Sequence, residues 1–455
     1  MNAKVVNHIS ECFIKPKYDN NESKQPFYLT PMDLLMLCVH YIQKGLLFTK
    51  PSVVDGVEFS IEKFIESLKH SLSLTLVHFY PLAGRLVTKV DEEKHESLVF
   101  VDCNKGPGAR FIHATLDMTI SNILSPTDVP LVVQSFFDHG RAVGHDGHTR
   151  PLLSVQITEL IDGVFIGCSI NHALVDGTSY WHFWNLWSEI HRRNTDEDLV
   201  CPLPVYDRWF PEGHGPELTL PFTHPDEFVC WFEAPELRER IFHFSIESIA
   251  KLKRRANKEA DTDKISSFQA LSALCWRVIV RANQMSYDEV TNCRLAANNR
   301  ARLNPPLAQG YFGNCINAVK TSSAVAELHE NSLGWTALLL HQTVANHGHE
   351  VVQEHVNGWI RSPYVYQLPT LFDSKSVMMG SSPRFNMYGN EFGIGKAVAV
   401  RSGYANKFVG KVTAYPGYEE GSSVDLEICL PPDSMIALEN DPEFMDVVSP
   451  PYKVY

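Results

Sequence analysis

The sequence predicts an α/β protein with room for two domains. Two strand-like apolar runs, at residues 152–160 and 164–170, precede an amphipathic stretch rich in tryptophan, so strands and helices both contribute. The chain has 455 residues, of which 44% are hydrophobic, and a chain of this size can bury a large core. A segment rich in proline, glycine and charge, at residues 193–222, separates two halves.

The two apolar runs predict a β-hairpin. They are joined by the tripeptide Ile-Asp-Gly at residues 161–163, and Asp-Gly between two such runs is a strong turn signal. His172 follows the second run by two residues. We therefore expect this histidine at or just beyond the end of a strand.

A helix is expected to begin near Thr178. Tyr180, Trp184 and Trp187 recur at helical spacing, which places their side chains on one inward-facing stripe. The loop between the hairpin and this helix then contains both His172 and Asp176.

The loop HALVDG, at residues 172–177, is a candidate catalytic centre. The ordinary pKa of histidine, about 6.5, suits removal of a proton from a hydroxyl or amine near neutral pH, and a general base contributes about 10²- to 10⁴-fold in rate. The alternative is that His172 is an interior histidine and Asp176 a turn or helix-capping residue. The spacing alone does not decide between them.

The segment at residues 193–222 lacks sustained periodicity and is interpreted as a crossover linker. We expect an N-terminal domain at residues 1–195, a linker at 196–224 and a C-terminal domain at 225–455. A second helix is expected from about Ser245, and its exposed face would carry the basic run KLKRR at 251–255. Such a face is often merely solvated.

Seven segments resemble, in order, the motifs of the plant BAHD acyltransferases, which move an acyl group from coenzyme A to an alcohol or amine. They are LTPMD at 29–33, LVHFYPLAGR at 76–85, HALVDG at 172–177, ISSFQAL at 265–271, RARLNPP at 300–306, GYFGNC at 310–315 and EFGIG at 391–395. The resemblance extends from about residue 29 to about residue 430.

The resemblance implies two chloramphenicol-acetyltransferase-like α/β domains with mixed sheets and an active-site channel at the domain interface. It implies that His172 is the general base and that Asp176 has a structural role in which it pairs with an arginine. Either Arg300 or Arg302 is the candidate partner, and the other could pair with Glu391.

Binding residues follow from the matching family segments. Lys264, Ser266 and Ser267 are candidates for coenzyme A contacts, because hydroxyls beside a lysine suit phosphates, and the basic run at 251–255 could add positive charge. For the two serines a helix cap is the alternative. Acyl-CoA would be a co-substrate, with no permanently bound cofactor.

On the acceptor side, His40, Tyr41 and Gln43 fall where family members line a pocket, although they could equally belong to an amphipathic N-terminal segment. Ser382 is a further pocket candidate. Gly393 and Gly395 are expected to shape turns rather than to contact a ligand.

Departures from the family pattern keep other functions open. Glu391 and Ile394 replace the usual aspartate and tryptophan of the C-terminal block, Asn298 replaces an aspartate, and Ser382 stands where an aromatic residue is frequent. The alternatives are lyase or rearrangement chemistry on an acyl conjugate without coenzyme A, and a non-catalytic binding protein.

Several other classes are disfavoured. The formal net charge of −13 argues against nucleic-acid binding. A serine nucleophile is disfavoured because there is no Gly-x-Ser-x-Gly motif, and a peptide-synthetase condensation domain because Asn171 replaces its second histidine. The ten scattered cysteines suggest neither a disulfide framework nor a metal site. We expect a cytoplasmic monomer without membrane segments that acts on small molecules.

Overall fold

The computed structural model describes residues 5–18, 25–54, 56–371, 373–419 and 421–450. Its strands are β1 (Asn7–Ile14), β2 (Phe27–Tyr28), β3 (Ile42–Thr49), β4 (Val53–Val54), β5 (Val57–Glu58), β6 (Arg85–Asp91), β7 (Glu96–Asp102), β8 (Ala109–Thr115), β9 (Leu153–Glu159), β10 (Gly163–Ile170), β11 (Thr219–Leu220), β12 (Arg238–Phe244), β13 (Val290–Asn298), β14 (Ile316–Ala324), β15 (Ser376–Gly380), β16 (Ala399–Ser402), β17 (Lys411–Pro416) and β18 (Val424–Leu430).

The α-helices are α1 (Pro31–Leu34), α2 (Ile61–His78), α3 (Ile120–Leu124), α4 (Gly177–Arg193), α5 (Ile246–Glu259), α6 (Ser267–Ala282), α7 (Val325–Glu330), α8 (Leu333–Ala345), α9 (His349–Arg361), α10 (Leu368–Leu371), α11 (Pro432–Glu439) and α12 (Pro442–Met445). None of these described helices is both long and apolar enough to cross a membrane.

Two six-stranded mixed sheets form the two halves of the molecule. The first has the order β1-β8-β9-β10-β3-β16, in which only β8 and β9 are parallel. The second has the order β12-β18-β17-β15-β13-β14, in which β15 runs parallel to both of its neighbours. Helices α5, α6 and α8 pack beside this second sheet and bury its apolar side.

One strand crosses from the C-terminal half of the chain into the first sheet. Strand β16 pairs with the edge of β3, with Ala399 opposite Leu47 and Ser402 opposite Lys44. The division at residues 196–224 remains a prediction, and this exchange adds a structural link between the two halves. Within the predicted linker the structure places the short strand β11.

The predicted hairpin and the helix after it are confirmed. Strands β9 and β10 pair antiparallel, with Ile170 opposite Leu153, and α4 begins at Gly177, one residue before the predicted start. Trp184 and Trp187 on α4 are fully buried, as the helical spacing of the aromatic residues indicates. Helix α5 starts after Ser245, whose side chain accepts a hydrogen bond from the Ser248 amide, also as predicted.

Candidate active site

His172 lies just beyond β10, at the meeting of the two halves. Protein atoms surround its imidazole, while the residue as a whole keeps part of its surface accessible. Its backbone carbonyl accepts a hydrogen bond from Asn314 Nδ2 at 2.8 Å. Its Nδ1 is buried and has no hydrogen bond of good geometry among the described residues, although the backbone carbonyl of His172 itself lies close enough to favour the charged ring.

The electrostatics of His172 suit a base. Burial lowers the pKa of its imidazole because the charged form loses water, and the positive charge of Lys411 lowers it further. Its own backbone carbonyl and Asp176 act in the opposite direction but do not reverse the shift. The ring is therefore neutral near pH 7 and can accept a proton.

Asp176 is committed to structure. Its carboxylate accepts hydrogen bonds from Arg300 Nη1 at 2.7 Å, from Arg300 Nη2 at 3.1 Å, and from the amides of Ser179 and Cys315 at 3.0 Å each. It is the N-cap of α4 and is fully buried. Burial by itself raises the pKa of Asp176, but the charge and hydrogen bonds of Arg300 outweigh it and keep this pKa below its ordinary value.

The partner of Asp176 is thus Arg300, one of the two predicted arginines. Arg302 has a different role, because its Nη1 donates to the carbonyls of Val344 at 3.0 Å and His347 at 2.5 Å. The suggested pairing of the second arginine with Glu391 is therefore wrong.

A second buried network, which sequence reasoning missed, supports the histidine from behind. Asp33 accepts hydrogen bonds from the Asn314 amide at 2.8 Å and from Asn314 Nδ2 at 3.0 Å, and it also pairs with Arg208. Asn314 in turn donates to the His172 carbonyl. Asp33 belongs to the motif LTPMD and Asn314 to the motif GYFGNC, so the presence of both residues in family motifs could have identified them as site residues. Arg208 lies in the predicted linker, outside every family motif, and nothing in the sequence around it indicated a role in the site.

A cavity of about 770 Å³ lies between α5, α6 and the loop at residues 381–384. Ser266, Ser267 and Ser382, all predicted binding residues, line it together with Asn298. Asn298 Nδ2 donates to the Thr178 hydroxyl at 3.2 Å, which links this cavity to the start of α4 beside the candidate catalytic loop.

The two serines differ in their local roles. Ser266 is the N-cap of α6: its hydroxyl accepts from the Gln269 amide, and Gln269 Oε1 accepts from the Ser266 amide. The cap anticipated as the alternative therefore exists at Ser266, while Ser267 is the first helical residue. Lys264 is exposed and does not line the cavity, whereas Lys253 of the basic run does.

The three predicted acceptor-side residues are buried and bonded to other parts of the chain. Tyr41 donates to the Pro151 carbonyl at 3.2 Å, and Gln43 Nε2 donates to the carbonyls of Asp138 and Gly140. His40 Nδ1 accepts from the Asn406 amide at 3.2 Å. These contacts give the prediction of an acceptor pocket at these residues no support, and it stays a prediction.

The EFGIG block forms a turn against the far end of α4. Phe392 is buried between Trp184, Trp187 and Phe48, with its ring centroid 4.8 Å from that of Trp187. Gly393 and Gly395 have φ of 72° and 93°, a region that favours glycine, which agrees with their expected role in shaping a turn. Ile394 lies on the outer side with His191 and Arg192.

The described residues contain no group of three or more histidine, cysteine, aspartate or glutamate side chains arranged to hold a metal ion. All ten cysteines are free thiols.

The chain is similar in sequence to known transferases over nearly all of its length. A family model described as "Transferase family" matches residues 4–445. An uncharacterized acetyltransferase of Arabidopsis thaliana is 36% identical, with 97% of this chain and 99% of the relative covered. BAHD acyltransferase DCR of the same plant is 33% identical, with 96% of this chain and 92% of the relative covered.

A solved structure shares the fold. The crystal structure of vinorine synthase superposes with a TM-score of 0.74 at 21% identity, and the match covers 97% of this chain and 98% of that one. The predicted fold class, two α/β halves with mixed sheets, is confirmed by this likeness and by the two six-stranded sheets.

Proposed function

The chain belongs to the transferase family that contains the plant BAHD acyltransferases, and from this premise we propose that it transfers an acyl group from an acyl-CoA thioester to a hydroxyl or amine of a plant specialised metabolite. One observation carries the proposal. The imidazole of His172 is neutral near pH 7, and the carboxylate of Asp176 bonds to Arg300 and not to His172. A histidine that acts as a general base needs a ring nitrogen that can accept a proton from the substrate, and no hydrogen bond to Asp176 prevents this.

The reaction needs no covalent enzyme intermediate. His172 removes the proton of the acceptor hydroxyl or amine while the acceptor atom attacks the thioester carbonyl. Collapse of the tetrahedral intermediate breaks the carbon–sulfur bond, and the imidazolium returns its proton to the departing thiolate. The products are free coenzyme A and an ester or amide, and the histidine is neutral again.

The cavity beside α6 is the proposed site of the coenzyme A arm. Ser266, Ser267 and Ser382 offer hydroxyls along its wall, and Lys253 offers a positive charge at its outer part. Lys251 and Arg255 of the same basic run pair with acids, Lys251 with Asp446 and Arg255 with Glu259. Lys253 is therefore a better candidate for a phosphate contact than these two.

Thiol release tests the proposal. The purified chain is incubated with acetyl-, malonyl-, benzoyl- and hydroxycinnamoyl-CoA and with pooled plant alcohols and amines, and free thiol is followed beside a His172→Ala variant. We expect release that depends on the acceptor and on His172, with an acylated product by mass spectrometry. Product formation from an acyl conjugate without any CoA donor would contradict the proposal.

A further inference from the structure

Lys44 and Lys411 lie deep in the molecule on strands of the two sheets, and we call them the lysine pair. Lys44 stands on β3 opposite Cys168 of β10, the strand that leads to His172. Lys411 begins β17, and its Nζ occupies the space that a side chain on Gly380 would need. The two lysines come from different halves of the chain, and both keep part of their surface accessible.

Of the lysine pair, Lys411 lies beside the segment that leads into the proposed coenzyme A cavity, although neither lysine lines that cavity. Gly380 ends β15 and directly precedes Ser381 and Ser382, which line that cavity. The positive charge of Lys411 acts on the His172 ring and lowers its pKa. Lys411 therefore lies within electrostatic reach of the place where the acyl group and the acceptor meet.

Lys411 lacks an anionic partner. Among the residues that the structure describes, none accepts a hydrogen bond or forms an ion pair with its ammonium, which lies 5.9 Å from the centroid of the Phe408 ring. Removing an ammonium group from bulk water without a counter-charge raises the free energy of the folded state. Such a group, if it were only structural, would be paired, as nearby Lys407 is with Glu239.

The acids of this region are already engaged. Glu427 accepts hydrogen bonds from Ser402 Oγ at 2.6 Å and from the Tyr415 hydroxyl at 3.0 Å, and Lys44 Nζ reaches the same tyrosine hydroxyl at 2.9 Å. Glu239 is paired with Lys407 through Oε2, while its Oε1 is buried without a hydrogen-bond partner among the described residues. Three lysines thus face two glutamates, and Lys411 has no direct contact with either, although the charge of Glu427 acts on it.

The titration of the lysine pair agrees with this geometry. Burial lowers the pKa of Lys411 to about 8, and repulsion from Lys44 adds to the effect. Burial likewise lowers the pKa of Lys44 to about 8, against the opposing charge of Glu427. Lys407, which has a direct ion pair, has its pKa raised despite its burial.

We propose that Lys411, with Lys44 behind it, binds a carboxylate carried by one of the two substrates beside His172. This rests on the proposed function, because it assigns a chemical class to what that site accepts. The carboxylate can belong to the acyl group of the donor, as in a malonyl thioester, or to the acceptor, as in a hydroxy acid. Either source would place the anion near the reacting carbonyl and neutralise Lys411.

Measurements of thermal stability distinguish a lysine that binds substrate from one that supports the fold, and they do not require enzymatic activity. We expect Lys411→Met to raise the melting temperature, because it removes an unpaired desolvated charge. The matched control is Lys407→Met, which leaves the carboxylate of Glu239 without its partner and should lower the melting temperature.

Anion binding is then measured with malonate as the probe, at constant ionic strength maintained with sodium chloride. The melting temperature of the wild-type chain should rise with malonate concentration. The apparent affinity for malonate should be about tenfold or more weaker in Lys411→Met, as expected for the loss of one charge-assisted hydrogen bond. This result is independent of acyl transfer, so it stands even if the thiol-release experiment fails.

The source of the carboxylate is distinguished by two paired comparisons. If the donor carries it, malonyl-CoA raises the melting temperature more than acetyl-CoA does, and Lys411→Met abolishes the difference. If the acceptor carries it, the two thioesters act alike, while 3-hydroxybenzoate stabilises the wild-type chain more than its methyl ester does. Both outcomes support the carboxylate site.

Three results would overturn the proposal. One is a Lys411→Met variant that loses stability as Lys407→Met does, which would make Lys411 structural. Another is malonate binding that is equal in the wild-type chain and Lys411→Met. The third is an equal loss of kcat with charged and uncharged substrates and no change in malonate affinity, which would assign Lys411 to the developing oxyanion instead.

Discussion

Replacing Asp176 by asparagine should damage the fold far more than the chemistry. The carboxylate receives two hydrogen bonds from Arg300 and two from backbone amides, and the side chains of Asp176 and Arg300 are 0% and 6% exposed. The substitution leaves the guanidinium without a counter-charge and turns an amide donor toward groups that themselves donate. Breaking a buried pair by removing one partner costs about 3–5 kcal/mol in free energy of unfolding.

Urea unfolding followed by tryptophan fluorescence measures this loss. An m value of about 3 kcal/mol per M is the upper end for small proteins and m grows with chain size, so the midpoint should fall by at most about 1–1.7 M. Activity is compared at low temperature, where both variants remain folded. Asp176→Asn should keep measurable acyl transfer, whereas His172→Ala should lose about 10²- to 10⁴-fold, the usual contribution of a general base.

A double variant provides the control. Arg300→Met added to Asp176→Asn removes the stranded charge and should recover part of the lost stability, although Arg300 also donates to the carbonyls of Tyr311 and Gly313. The reasoning is refuted if Asp176→Asn has the unfolding midpoint of the wild-type chain and is nevertheless as inactive as His172→Ala. Asp176 would then be part of the chemistry.

Three further predictions concern neighbouring groups. Because burial lowers the pKa of His172, its imidazole should stay neutral down to the ordinary pKa of histidine, about 6.5. The acid limb of kcat/KM should therefore have its midpoint below pH 6.5, and a midpoint above pH 7 would contradict this. Ser266→Ala removes an N-cap and should cost about 1 kcal/mol of stability in urea unfolding, while Ser267→Ala should leave stability unchanged and raise the KM for acyl-CoA. Asn314→Ala removes the hydrogen bond to the His172 carbonyl and should lower kcat roughly 10- to 100-fold with little change in the KM for acyl-CoA, so an unchanged kcat would show that this bond does not position the base.

Local sequence signals predicted those parts of the site that depend on neighbouring residues. The Asp-Gly turn, the start of α4 within one residue and the cap at Ser266 each follow from interactions over a few positions. Such interactions are set by residue type and spacing, so the sequence carries them directly.

Contacts between residues that are far apart in the sequence were harder to predict from it. Arg300 and Arg302 are equivalent in the motif, and what separates them is that Arg302 is held by two carbonyls at the end of α8. Arg208 meets Asp33 from within a segment that looked like a plain linker. The partners of Gln43 are backbone carbonyls, which no residue pattern reveals.

The position of the EFGIG block bears on the alternative chemistry considered from the sequence. That alternative drew in part on the replacements at Glu391 and Ile394. Ile394 lies beside His191 and Arg192 in the last turn of α4, whereas Asp176 caps the first turn of the same helix. At a rise of about 1.5 Å per residue, the helix separates the two ends by roughly 20 Å. The replacements at Glu391 and Ile394 therefore affect residues that pack against the distant end of α4, and these two give no reason to expect a reaction at His172 other than acyl transfer.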